Sequence, residues 1–271
     1  MNDPRFAPER KSGDFVRHFD SVRAMVSALR PVRPVYCLAP AALTAAAARF
    51  RDGFSGDSLY AVKCNPHPFI LRTLYDSGVT GFDAASIAEV AAARAVHPDA
   101  TIGFLNPVKP RGDIREAYRF HGVRLFVVDH ESEFEKIAAE LGTAADVTIL
   151  VRFATAPADA LYELSNKFGA GADDAARLLA MVAARGWSAG LAFHVGSQCK
   201  TPSAYTTALV QAGDIARQSG VKLACVDVGG GFPADYVGET PPPLQAYFDA
   251  IADGVQQAGL TCRLICEPGR A

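Results

Sequence analysis

Short apolar runs rich in β-branched and aromatic residues alternate along this chain with longer alanine- and leucine-rich segments of helical period, the pattern of parallel strands joined by helices. The runs predict eight strands, at 59–63, 81–84, 101–105, 125–128, 147–153, 190–194, 223–228 and 263–266. Between them, segments 86–96, 131–141, 173–185 and 204–219 carry the 3.6-residue period, with Ser86, Asp173 and Ser203 as capping residues. Eight such repeats in 271 residues, close to the ~250 typical of the architecture, predict an α/β fold of the (β/α)8 or TIM barrel type. Ahead of it, 14–29 reads as an amphipathic helix and 30–34 as a proline-broken connector to a further strand at 35–38. The expected organisation is an N-terminal piece, 1–34, packing on something other than the barrel wall, and a barrel, 35–271, ending at its eighth strand.

Composition narrows the class. The 27 basic and 29 acidic residues are spread along the chain, so no electrostatic footprint for nucleic acid or an anionic membrane is present, while a small anionic or zwitterionic partner fits. The longest low-charge run, 35–48, contains Pro40 and falls short of the ~20 residues that span a bilayer. The first residues mix charge and proline without the apolar core of a signal peptide, and the expected compartment is the cytoplasm. The six cysteines form no Cys-x-x-Cys pair and no Cys/His zinc spacing, so they read as reduced thiols and no metal is expected.

A barrel carries its chemistry at the carboxyl ends of its strands. Lys63, Asp83, Asn106, Arg152, His194, Gly229 to Gly231, Glu267 and Arg270 all follow predicted strands and fall on one rim. Strand ends are also polar simply because they meet water. Lys63 ends an apolar run; a desolvated amine there has a lowered pKa and attacks aldehydes, although a lysine can equally snorkel from a strand end to solvent. Gly229, Gly230 and Gly231 offer backbone N–H groups to an anion or serve a tight turn, and their place after the seventh strand matches the phosphate sites of barrels. Gly269 and Arg270 follow the eighth strand, where a guanidinium completes a phosphate clamp. His194 can stack on a planar ring or satisfy a loop carbonyl, Ser197 can bond a phosphate oxygen, and a buried Glu267 calls for a cationic partner.

Six motifs, in order, carry a resemblance: Leu59-Tyr60-Ala61-Val62-Lys63-Cys64-Asn65, Gly81-Phe82-Asp83-Ala84-Ala85-Ser86, Asn166-Lys167-Phe168-Gly169, Phe193-His194-Val195-Gly196-Ser197, Asp227-Val228-Gly229-Gly230-Gly231-Phe232-Pro233 and Glu267-Pro268-Gly269-Arg270. Together they resemble the barrel domain of the ornithine/lysine decarboxylases, pyridoxal-phosphate (PLP) enzymes of the alanine-racemase fold type. The resemblance implies Lys63 as the Schiff-base lysine and His194 stacked on the coenzyme ring. It implies Ser197, Gly229, Gly230, Gly231, Gly269 and Arg270 around the phosphate, with Asp83 and Arg152 supporting ring and lysine. Glu267 would face the pyridine nitrogen and keep it protonated, which favours decarboxylation over the racemisation associated with an arginine at that place.

The same resemblance implies L-ornithine or L-lysine as substrate, a diamine (putrescine or cadaverine) of polyamine biosynthesis as product, and a homodimer. The family's C-terminal β-sandwich domain, which supplies substrate contacts across the dimer, has no match in this sequence. The chain by itself is therefore expected to bind PLP weakly and decarboxylate little, and apolar surface near Leu264 and Cys266 is expected to be exposed. A non-catalytic, single-barrel PLP-binding protein of coenzyme homeostasis is the alternative, and a pseudo-enzyme that binds a protein partner is a third reading.

Overall fold

The computed structural model describes residues 17–155, 160–162, 167–238 and 240–271. Contacts divide the chain after Ala39. In the first unit, α1 (Val22–Leu29) starts where the Ser21 hydroxyl accepts from the Ala24 amide, and it ends at Arg30 in left-handed conformation. Residues 14–16 of the expected helix lie outside the described residues. The predicted strand at 35–38 does not form, and those residues are exposed. A closed barrel has no free edge for another strand to join.

The second unit is that barrel. Its parallel strands are β1 (Asp57–Ala61), β2 (Gly81–Ala84), β3 (Thr101–Phe104), β4 (Leu125–Val128), β5 (Thr148–Arg152), β7 (Ser188–Ala192), β9 (Cys225–Asp227) and β10 (Arg263–Cys266), and β10 pairs back onto β1. Two short strands outside the barrel, β6 (Ala160–Tyr162) and β8 (Ser197–Cys199), pair antiparallel over the exits of β5 and β7. This ribbon was not anticipated, because three-residue strands leave no periodicity to read. The helices are α2 (Pro40–Gly53), α3 (Pro68–Asp76), α4 (Ile87–Val96), α5 (Arg111–Arg119), α6 (Glu131–Leu141), α7 (Ala172–Ala184), α8 (Ser203–Ser219) and α9 (Leu244–Ala258). Ser86 caps α4 through the Glu89 amide as expected. Asp173 and Ser203 instead lie inside their helices, whose N-caps are Gly171 and Pro202.

Strand alternation sorts the side chains into two cores. One set, Leu59, Leu105, Leu125, Val127, Leu150, Ala192, Cys225 and Ile265, fills the barrel interior. The other faces the helices and includes Phe82, Phe104, Phe126, Ile149, Leu191, Val226 and Cys266. Leu264 and Cys266, expected to be exposed, are buried in this outer core together with Phe50, Phe54 and Phe248. The reason is circular: α2, which precedes β1, supplies Phe50, whose ring meets Phe232 and Phe248 edge-on at 5.2 and 5.6 Å. Phe50→Ala should therefore cost about 3–5 kcal/mol of barrel stability, seen as a lower urea midpoint with an unchanged slope; a loss below about 1 kcal/mol would mean the α2 seal is dispensable.

Candidate active site

The barrel interior is apolar up to one level and charged immediately above it. Because a strand repeats every second residue, the position two beyond each interior apolar residue rises one layer on the same face. Leu150 is followed so by Arg152, Ala192 by His194, Cys225 by Asp227, Ile265 by Glu267 and Val127 by Asp129. Asp83 follows Gly81 in the same way. Lys63 departs slightly: β1 ends at Ala61, and Val62–Cys64 form a 3-10 turn that carries the lysine over the rim. All the predicted charged residues from Lys63 to Glu267 thus meet at one end of the barrel.

Lys63 Nζ donates to Asp83 Oδ2 at 3.0 Å, with 56 % of the lysine side chain exposed and 2 % of the aspartate's. Burial pulls the amine down, but the carboxylates of Asp83 and Glu267 outweigh it and hold it above the usual lysine range. The expected lowering does not occur, because sequence alone gives no account of two acids beside the amine. Arg152 sits among Glu267, Asp129 and Asp83, with burial pulling its guanidinium down and those acids opposing, and it covers the Phe168 ring at 5.2 Å. Burial, reinforced by the positive charges of Arg152 and Lys63, drops His194 to about 3, so the ring is neutral at pH 7. Its Nδ1 accepts from the Gly196 amide at 3.0 Å, which places the ring proton on Nε2.

The cations that act on Glu267 are Lys63 and Arg152, and among the described residues neither forms an ion pair with it. Burial, then the carboxylates of Asp83 and Asp227, push its pKa well up, against the pull of Lys63 and Arg152. Asp227, to which sequence reasoning gave no role, is wholly buried at the end of β9. Its Oδ1 accepts from the Gly229 amide at 2.8 Å, and among the described residues no donor reaches Oδ2. Burial lifts it to about 7. The missed signal was its place two residues beyond Cys225 in a strand already assigned to the barrel.

The glycine loop is held from outside. Gly229 and Gly231 have φ of 69° and 103°, and a Cβ on them would lie 2.3 Å from the Phe193 carbonyl and 2.5 Å from the Gly196 carbonyl. A Cβ on Gly230 would sit 2.7 Å from the Glu267 carbonyl and 3.3 Å from His194 Nε2. Tyr205 donates to the Gly230 carbonyl and the Cys199 amide to the Gly231 carbonyl, both at 2.9 Å. In a trans peptide the N–H points opposite to the C=O, so fixing Gly230 O on Tyr205 of α8 aims the Gly231 N–H away from that helix. Gln198 ties the loop's far side, bonding both the carbonyl and the amide of Ala234. Ser197 lies on β8 opposite Tyr162, beside this loop.

Closure places the two ends of the site together. The Ala61 amide donates to Pro268 O, and Cys64 Sγ to Gly269 O, each at 2.9 Å. A Cβ on Gly269 would lie 3.1 Å from that of Ala61, a tight fit at this closure. Arg270 is exposed and its guanidinium donates to the Tyr236 hydroxyl at 2.6 Å, a partner that the sequence did not suggest. Asn106 contributes its carbonyl to buried Lys109, which also bonds Val127 O and Glu133 and so clamps the loop after β3. Asn166 lies outside the described residues.

These residues suit PLP: glycine amides with no room for side chains beside them, a reachable amine at the rim, a neutral imidazole, and two carboxyls of which Asp227 is fully and Glu267 partly buried. Among the described residues no helix is long and apolar enough to cross a membrane. The family model "pyridoxal-dependent decarboxylase, pyridoxal binding domain" matches residues 41–271. The lysine/ornithine decarboxylase of Selenomonas ruminantium is 36 % identical over 216 residues, 78 % of this chain and 54 % of that protein. The arginine decarboxylase of Paramecium bursaria Chlorella virus superposes with a TM-score of 0.80 at 26 % identity, covering 92 % of this chain and 67 % of that one. The lysine/ornithine decarboxylase of Vibrio vulnificus, solved with putrescine, gives 0.78 at 27 % identity over 92 % and 68 %. The chain spans about half the length of the curated relatives it matches. With its barrel, its motif order and its match to the coenzyme-binding domain model, the chain belongs to the pyridoxal-dependent decarboxylase family.

Proposed function

We propose that this barrel is the coenzyme-binding part of a cytoplasmic, homodimeric enzyme that decarboxylates a basic amino acid, L-ornithine or L-lysine, to putrescine or cadaverine in polyamine synthesis. The observation that carries the reading is the meeting of Lys63, His194 and the Glu267 carboxyl around one apolar-floored pocket mouth. Support for the substrate class comes from the names of the matched relatives, which act on lysine, ornithine or arginine.

When bound, PLP supplies an electron sink for the pair left behind as carbon dioxide departs. The chain's own residues prepare for this. Gly229 to Gly231, Gly269, Ser197 and Arg270 would hold the phosphate. Neutral His194 would cover one ring face without competing for charge. Glu267 would face the ring nitrogen and keep a proton there, while Arg152 and Asp83 would fix the lysine side. Asp83 Oδ2, 3.0 Å away, holds Lys63 as an ammonium, and Schiff-base chemistry at this amine would require that proton to be given up.

Two measurements follow. Purified protein mixed with PLP should develop the visible band of the lysine-bound coenzyme, and Lys63→Ala should abolish it; carbon dioxide release should be sought with ornithine, lysine and arginine. A band with release supports the decarboxylase reading, a band without release from any of the three fits coenzyme carriage or a coenzyme-binding part that does not turn over by itself, and a band that persists in Lys63→Ala defeats the role of Lys63. Asp83→Asn removes the largest influence that raises the Lys63 amine and leaves burial to act. The amine pKa should then fall by at least about one unit, followed by carbon-13 NMR of the reductively methylated lysine; an unchanged titration would show that Glu267 alone sustains the charge.

A further inference from the structure

We propose that Asp227 is a positioning residue that shares a single proton with Glu267, and that the pair gives up this proton when the coenzyme's ring nitrogen enters. The proton passes to that nitrogen if it arrives unprotonated, as one O–H bond breaks and one N–H bond forms, and to solvent if it arrives charged. The inference rests on the coenzyme-binding reading above and adds to it a residue and a proton count.

The geometry comes first. Asp227 and Ile265 are ladder partners on adjacent parallel strands, so Asp227 and Glu267, two residues past Ile265, project from neighbouring strands to the same face, one step apart along the ladder. The main chain locks them together: the Glu267 amide donates to Gly229 O, and the Gly229 amide donates to Asp227 Oδ1, both at 2.8 Å. That leaves Asp227 Oδ2 fully buried with no donor among the described residues, while the group within hydrogen-bonding reach is the Glu267 carboxyl. Two carboxylates cannot bond to each other. One carboxyl and one carboxylate can, and a buried oxygen that lacks a donor is costly enough to require it.

Charge counting gives the same answer independently. Asp227 is faced by Glu267 from β10, Asp83 from β2 and Arg152 from β5, with the Cys225 and Cys266 thiols near it. Burial drives both thiols upward, so they stay neutral. His194 is neutral as well. Four carboxyl groups, Asp83, Asp129, Asp227 and Glu267, then stand against two cations, Lys63 and Arg152, an excess of negative charge that protonating a carboxyl relieves. Asp83 already accepts from the Lys63 ammonium, which leaves the proton to the Asp227–Glu267 pair. Burial and mutual repulsion raise both members, as a shared proton requires. A pyridinium beside Glu267 would add a third cation, and its charge would favour ionising the pair.

The test compares native protein with Asp227→Asn, whose amide can donate to Glu267 and leave it ionised without any shared proton. Calorimetric titration with PLP at pH 7, in two buffers of different ionisation enthalpy, should show the variant taking up about one more proton per coenzyme bound than the native chain. Infrared difference spectra of the native protein should lose a buried protonated-carboxyl band on adding PLP, and the band should be missing from coenzyme-free Asp227→Asn and Glu267→Gln. Equal proton counts, or no such band in the coenzyme-free native protein, would overturn the proposal. Should Asp227→Asn fail to fold, the native spectrum and Glu267→Gln decide. Should the native chain fail to take up PLP, the function reading falls, and the coenzyme-free band still rules on the pair.

Discussion

The fold turns on the closed parallel barrel, whose interior admits side chains only in layers. Once Leu59, Leu150, Cys225 and Ile265 fill the interior, alternation fixes what stands above them, and there the sequence places acids and bases. Charged groups on such a floor cannot be hydrated from below. They must compensate one another, and the raised lysine, the neutral histidine and the raised carboxyls are three expressions of that single requirement.

Much of this was legible in the sequence. Strands at 81–84, 125–128 and 263–266 form with the bounds that alternation predicts, because each is a compact apolar run between clear breaks. The helical period likewise located Glu131–Leu141. What failed has physical causes. The run at 35–38 has the composition of a strand, but pairing depends on a free edge that composition does not report. Leu264 and Cys266 looked uncovered because the helix that covers them comes from the opposite end of the barrel sequence, a long-range contact invisible to local pattern.

The site divides in the same way. Residue identities and their common rim were readable, whereas the electrostatics were not, since a pKa depends on neighbours brought from distant strands. Lys63 shows this most plainly: burial was foreseen, and the pull of Asp83 and Glu267 was not. Asp227 and Asp129 went unnoticed because nothing local distinguishes an aspartate ending a strand from one meeting water. Arg270 and Tyr236 form a contact whose members are separated by α9, so neither hints at the other.

The pairing of β10 with β1 has a temporal meaning. As a nascent polypeptide leaves the ribosome, the amine-bearing turn emerges long before Glu267, so the pocket cannot exist until β10 and the residues just after it have been made. Until the final strand docks, β1 and β9 present unpaired edges and the α2 aromatics lack their full cover, a period of vulnerability to aggregation that chaperones serve to shorten.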